Sequence, residues 1–314
     1  ADASGLGIME IEAMRKEGYD DGFSAAITAG SAVIGPIFPP SIPLVIYGVI
    51  AGASIGNLFL AGMVPGIILA LALCIYVCYI ANKRNYPSGR KYAGMEFIKM
   101  TVSAVPALLT PIILLMGIYT GIMTATEAGA VAALYALLIS VFAYRSITLS
   151  EFIQVLKNTV KSTGQIGIML GAAYVFSYVI AVENLPSLAG NLILSFATTK
   201  VSFLVFVNIL LFILGMLLDS AVLQLVLLPI LCPIAQSFGI DMVHFGVVFT
   251  LNTMIGLCTP PFGMLLFIVT GISGEKMNTI IKEVMPMVFV MVLVLILVTF
   301  VPDVIMWLPR LFGR

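Results

Sequence analysis

GPIFPPSIP, residues Gly35–Pro43, and GLCTPPFG, residues Gly256–Gly263, each set a proline pair inside a long apolar run. Proline has no N–H, so it leaves the carbonyl four residues back without its helical partner. Pro39 therefore frees the carbonyl of Gly35, and Pro40 that of Pro36. Pro260 frees Gly256, and Pro261 frees Leu257. An unpaired carbonyl in hydrocarbon is unfavourable by several kcal/mol. Two accounts stay open. Each break is a plain proline kink healed by neighbouring helices and Ser/Thr side chains, or the freed oxygens hold a hard monovalent cation, helped by the negative end of the half-helix dipole. The occurrence of two such breaks favours the cation, which makes Gly35, Pro36, Gly256 and Leu257 candidate ion ligands. The half-helices that restart after the prolines present free N–H groups, which suit an anion such as a substrate carboxylate. Ser31, Ser41, Asn252, Thr253 and Thr259 lie close enough in sequence to orient it, with Ser41, Asn252 and Thr259 the substrate-binding candidates.

Working outward, the composition requires a bilayer. Of 314 residues 61% are hydrophobic and 10% charged, and the mean hydropathy is +1.15. Soluble domains carry roughly 25% charged residues. Lys+Arg and Asp+Glu are both 15, so no basic footprint points to nucleic acid. Candidate spans are Phe23–Ile50, Leu58–Ala81, Met100–Thr120, Ala128–Tyr144, Thr163–Val182, Phe245–Thr270 and Val284–Trp307. A further apolar stretch, Phe203–Phe238, is interrupted at Asp219 and Ser220 and reads as two spans or one re-entrant hairpin. With Arg15 and Lys16 inside, alternation puts 12 Lys and Arg residues inside and 3 outside, a strong positive-inside bias. The C-terminus is then predicted outside.

An offset of 221 residues superposes Gly18 on Gly239, Asp20 on Asp241, Gly35 on Gly256, Pro39-Pro40 on Pro260-Pro261 and Pro65 on Pro286. Under the predicted sidedness the copies run in opposite directions. The expected fold is thus an all-α polytopic membrane protein with an inverted repeat, broken helices and re-entrant hairpins, the pattern of a secondary transporter with a midplane site. The chain divides into a partial first repeat over 1–81, a linker with scaffold helices over 82–160, and the rest of the second repeat over 161–314.

Asp219, in LGMLLDSAVLQL, is an intramembrane carboxylate and hence a candidate ion ligand. It also suits a helix N-cap, and the two roles are compatible. Glu127, in TATEAGAVA, reads as part of a cap without further function. Cys74, Cys78, Cys232 and Cys258 all sit in apolar runs and read as small packing side chains. GASIG (Gly52–Gly56) and GISG (Gly271–Gly274) resemble serine-hydrolase motifs, but the single histidine, His244, is predicted on the side opposite Ser273. The chain is therefore not read as an enzyme.

SAAITAGSAVIGPIFPPSIPLVIYG, SIGNLFLAGMVPG, TATEAGAVAAL and NTMIGLCTPPFG closely resemble the large membrane subunit of tripartite ATP-independent periplasmic (TRAP) transporters. The likeness extends over essentially the whole chain. ADASGLG at the start looks like the middle of such a protein, entering the second arm of its inner hairpin, so earlier helices are expected to precede it. The resemblance implies import of an organic acid, sialic acid or a C4-dicarboxylate, across the bacterial inner membrane on a Na+ gradient. It implies a scaffold and a moving elevator domain, a periplasmic substrate-binding protein and a small four-helix membrane subunit, separate or fused. It also places sodium near Gly35 and Gly256 with Asp219 at the outer hairpin, and Ser41 near the substrate. One departure is Phe38, which stands where the second copy has Thr259. A stand-alone sodium/divalent-anion symporter and an ion channel are the competing functions.

Overall fold

A computed structural model of the chain describes residues 6–87, 94–183, 193 and 197–312. The described residues hold helices and no strand. They form two compact units, Ala1–Gly89 with Val179–Arg314, and Arg90–Tyr178. The sequence boundary at 160 falls inside a continuous helix, Leu149–Val182.

The first unit contains α1 (Gly7–Lys16), α2 (Asp21–Ser31), α3 (Ile42–Ala51) and α4 (Ile55–Lys83). The second contains α5 (Gly94–Tyr119), α6 (Ala125–Leu138, continued by a π turn over Ile139–Ala143) and most of α7 (Leu149–Val182). The chain then re-enters the first unit with α8 (Lys200–Gly215), α9 (Ser220–Ser237), α10 (Met242–Gly256), α11 (Met264–Ser273), α12 (Met277–Phe300) and α13 (Asp303–Phe312). Among the described residues six helices are long and apolar enough to cross a membrane: α4, α5, α6 with its π turn, α7, α9 and α12. The chain is an all-α polytopic membrane protein.

Local chemistry sets the helix ends. The Ser41 hydroxyl accepts the Leu44 N–H at 3.2 Å and opens α3. Asp241 accepts the N–H groups of Val243 and His244 and opens α10. Thr124 and Glu127 form a reciprocal capping box at α6, the role read for Glu127 from sequence. Three predicted spans are interrupted or cut short in the structure. The runs Phe23–Ile50 and Phe245–Thr270 are each two helices, α2 and α3, and α10 and α11, separated by irregular backbone at the proline pairs. The run Val284–Trp307 stops at Phe300, because Pro302 withholds the N–H that would continue α12.

The punctuation at 221-residue spacing reappears in the backbone. Asp20 and Asp241 are both N-cap residues, and Gly18 and Gly239 both take positive φ, 88° and 65°. Helix contacts on the two sides of the 221-residue offset correspond as well. α1 packs on α11 as α9 packs on α3, and α2 packs on α12 as α10 packs on α4. Hydrogen bonds fix the direction of each segment. Arg15 joins Asp21, at the start of α2, to the Ser273 carbonyl at the end of α11, at 2.6 and 2.5 Å. Tyr47, late in α3, donates to the Met242 carbonyl at the start of α10 at 2.8 Å. α2–α3 and α10–α11 therefore run antiparallel through the unit.

At the Arg15 end, Arg84 closes the unit. It bonds both carboxylate oxygens of Glu283 on α12 at 2.9 and 2.8 Å, reaches Asp20 at 3.5 Å and lies over the Phe23 ring at 5.1 Å. Hydrogen bonds to Tyr86 and Glu283 push the guanidinium pKa upward.

Glycines allow the closest approaches. A Cβ on Gly62 of α4 would lie 2.6 Å from the Ile37 carbonyl oxygen, inside the first break. Backbone cannot swing away as a side chain can. Gly62→Ala should therefore lower stability by about 1–3 kcal/mol, whereas Gly271→Ala, with open space around it, should be neutral or slightly stabilising. Thermal unfolding of the two variants in detergent checks this.

Candidate functional site

The site is built from the two breaks and the tip of the α8–α9 hairpin. In the first break Ile34 O accepts the N–H groups of Ile37 and Phe38 at 3.0 and 2.9 Å, closing the last turn after α2. The Pro36 carbonyl accepts the Ser41 hydroxyl. Gly35 is exposed, and among the described residues no donor reaches its carbonyl. Of the two oxygens that the prolines free here, one is closed by a side chain and one is open. The break rests on α4 at Gly62 and Gly66, the latter facing the Phe38 ring.

The second break is closed by backbone. Gly256 O accepts the Thr259 N–H at 2.9 Å, and Leu257 O accepts the Leu265 N–H at 3.0 Å. The Thr259 hydroxyl, read from sequence as a substrate contact, instead bonds Ile255 O at 2.9 Å. Each of these carbonyls retains a second lone pair. The Cys258 thiol bonds Ala29 O at 3.0 Å, fastening the second break to α2 of the first copy. The Pro39–Pro40 and Pro260–Pro261 peptide bonds are both cis.

The hairpin tip sits on the second break. The Gly263 N–H donates to Met216 O at 3.0 Å. The Ser220 and Thr253 hydroxyls lie 2.9 Å apart. A Cβ on Gly256 would lie 2.6 Å from the Gly215 carbonyl carbon, so the two chains meet backbone to backbone. Between tip and break is a cavity of about 300 Å³, lined by Met216, Leu217, Leu218, Leu257, Phe262 and Phe267 among others. Asp219 caps α9: its Oδ1 accepts the Ala221 N–H at 2.8 Å. Its Oδ2 has no donor among the described residues. Its neighbours Gly215, Met216 and Ser220 touch the second break, while the Asp219 side chain itself bonds only the Ala221 N–H among the described residues.

Asn252 is bound into the packing between helices. It is fully buried, and its amide donates to the Asn208 backbone and side-chain oxygens at 2.9 and 2.8 Å. Asn208 in turn donates to Leu204 O and to the Thr299 hydroxyl. This polar ladder ties α8, α10 and α12 together. Asn208 went unnoticed in the sequence because a single amide in an apolar helix gives no spacing pattern. Gln224 was missed for the same reason. It lies one turn after Ser220 on α9, fully buried, and neither its amide nitrogen nor its oxygen has a partner among the described residues.

A Ser–His dyad is excluded by geometry. The Ser273 hydroxyl accepts the Glu275 N–H at the Arg15 end of the unit. His244 lies at the Met242 end, its Nε2 3.0 Å from Val298 O. Cys74 and Cys78 are exposed, Cys232 and Cys258 buried, and all four are free.

Apolar helices, paired breaks and a hairpin tip pressed on one of them describe a multi-pass membrane permease. The sequence matches the family described as "Tripartite ATP-independent periplasmic transporter, DctM component" over residues 1–304. The chain belongs to that family and is a multi-pass protein of the bacterial inner membrane. It is 42% identical over 312 residues to the "Sialic acid TRAP transporter large permease protein SiaM" of Vibrio cholerae, covering 99% of this chain and 73% of that protein. It is 40% identical over 311 residues to the "Sialic acid TRAP transporter permease protein SiaT" of Haemophilus influenzae, covering 99% and 50%. Identity to the "C4-dicarboxylate TRAP transporter large permease protein DctM" of Pseudomonas aeruginosa is 34% over 313 residues, covering 100% and 73%. All three are named permeases, not enzymes.

The Asn208–Asn252 pair is open to a double-mutant cycle. Asn208→Leu takes away the side-chain acceptor of the Asn252 amide, which keeps only the Asn208 backbone oxygen, and should destabilise by about 1–3 kcal/mol. Adding Asn252→Leu should recover most of that loss, read as melting temperature in detergent.

Proposed function

We propose that this chain is the membrane-embedded component of a sodium-coupled importer of organic acids, with sialic acid or a C4-dicarboxylate as substrate. The observation that carries the proposal is the pair of antiparallel helix breaks within one unit, each offering main-chain oxygens where proline has removed the N–H. The copies form an inverted repeat about the membrane midplane, and the unit that holds both breaks is the moving part of an elevator.

Sodium is the coupling ion. Gly35 and Pro36 hold one ion, and Gly256, Leu257 and Asp219 hold another. An all-oxygen donor set suits a hard cation. The fit is better at the first break, where the Gly35 carbonyl is open. At the second break the ion draws on the remaining lone pairs of Gly256 and Leu257 and on Asp219 Oδ2. The substrate carboxylate binds at the N-terminus of α3, beside Ser41, where the Ile42 N–H and the positive dipole end favour an anion. Thr259 and Asn252 would have to exchange their present hydrogen bonds to join it, so Ser41 is the principal substrate contact. The partners are a periplasmic binding protein that delivers the acid and a small four-helix membrane subunit.

The test is uptake into liposomes holding this chain with the small subunit, with and without the binding protein. Uptake should require both the binding protein and an inward sodium gradient. Uptake without the binding protein points to a stand-alone symporter, and unsaturable conductance points to a channel. Asp219→Asn keeps an oxygen able to cap α9 but removes the charge. It should leave the melting temperature nearly unchanged while raising the sodium needed for half-maximal uptake about tenfold, the scale of one charge-assisted contact. Unaltered sodium dependence would remove Asp219 from the ion site.

A further inference from the structure

α13 carries two apolar faces. Ile305, Met306 and Pro309 are buried, and the helix packs on α4 and α10. On the other side Trp307 is 49% and Leu311 66% exposed, with Val304 and Leu308 half-buried beside them. An ion pair, Arg310 to Asp303 at 2.6 Å, runs along one edge between the faces.

Lengths restrict where such a helix can lie. α12 has 24 residues, which at about 1.5 Å each rise roughly 36 Å, more than the roughly 30 Å hydrocarbon core. The chain has therefore crossed the core when it reaches Val301 and Pro302. α13 has 10 residues, about 15 Å, too few to cross back. An exposed apolar stripe on the preceding helix leads toward it. Phe289, Leu293, Ile296 and Phe300 form an exposed stripe along α12 at helical spacing, and it ends where α13 begins. Trp307 is the single tryptophan of the sequence, and indole is favoured at the headgroup level of a bilayer.

We propose that α13 is an interfacial anchor, with Trp307, Leu311 and Val304 seated among the lipid headgroups and upper acyl chains and the Asp303–Arg310 pair at headgroup depth. The partner of this face is the lipid surface itself. Ile305, Met306 and Pro309 fasten that anchor to the unit that carries both helix breaks.

Tryptophan fluorescence reads this directly. The difference signal between the unmodified protein and Trp307→Phe isolates Trp307 in the assembled complex. It is recorded in bilayers whose lipids carry a nitroxide on the headgroup, high on the acyl chain, or at the chain terminus. Quenching should be strongest from the two shallow labels and weak from the terminal one, with little quenching by aqueous iodide. Leu311→Asp, at an exposed position, should shift Trp307 emission to the red and open it to iodide. Strongest quenching by the terminal label would overturn the proposal, as a membrane-buried helix would give it. So would the absence of lipid quenching, whether iodide reaches the indole (a water-exposed face) or not (a face covered by protein). An unchanged Trp307 signal in Leu311→Asp would likewise overturn it.

Discussion

Everything in the unit that holds the breaks follows from the need to pair main-chain carbonyls where no water is at hand. A helix meets that need by itself, residue by residue. Two proline pairs suspend the arrangement in the middle of apolar runs, and the chain answers differently in each place. After Gly256 it folds back on itself, and N–H groups from Thr259 and Leu265 take over the vacated acceptors. After Gly35 a serine hydroxyl closes one acceptor and the other is left open. The same kind of interruption yields a closed turn at the second break and an open one at the first.

Close packing makes these interruptions tolerable. Irregular backbone survives at membrane depth only when protein surrounds it. Gly62 and Gly66 let α4 lie directly against the first break, and Gly215 lets the hairpin meet the second at Gly256. Cys258 and Met216 add single hydrogen bonds that pin the second break on two sides. Tyr47 fits against α10 because Gly246 has no side chain to obstruct its ring. Small residues thus decide which segments touch, and larger ones fill the space that remains.

Much of the architecture was legible in the sequence, for definite reasons. Proline restricts backbone geometry whatever surrounds it, so the breaks near Pro39 and Pro260 could be placed from letters alone. Glu127 could be read as a cap because a capping box is a local interaction of four residues. What escaped notice depends on neighbours distant in the chain. Asn252 sits beside the second break in sequence, yet its amide turns toward Asn208 on another helix. Nothing local tells an amide which neighbouring helix it will face. The end of α12 was overrun because hydropathy continues through Trp307, although Pro302 had already stopped the helix.

The Ser41 hydroxyl has one hydrogen, and it is directed at Pro36. Its oxygen meanwhile accepts from Leu44 and so holds the first turn of α3. An anion arriving at that turn competes with the Pro36 carbonyl for the same proton, and whichever loses must look to another donor or to a cation. In the proposed function, binding of an anion and of a cation at residue 41 would thereby be linked through the rotation of a single C–O bond, with no displacement of the main chain required.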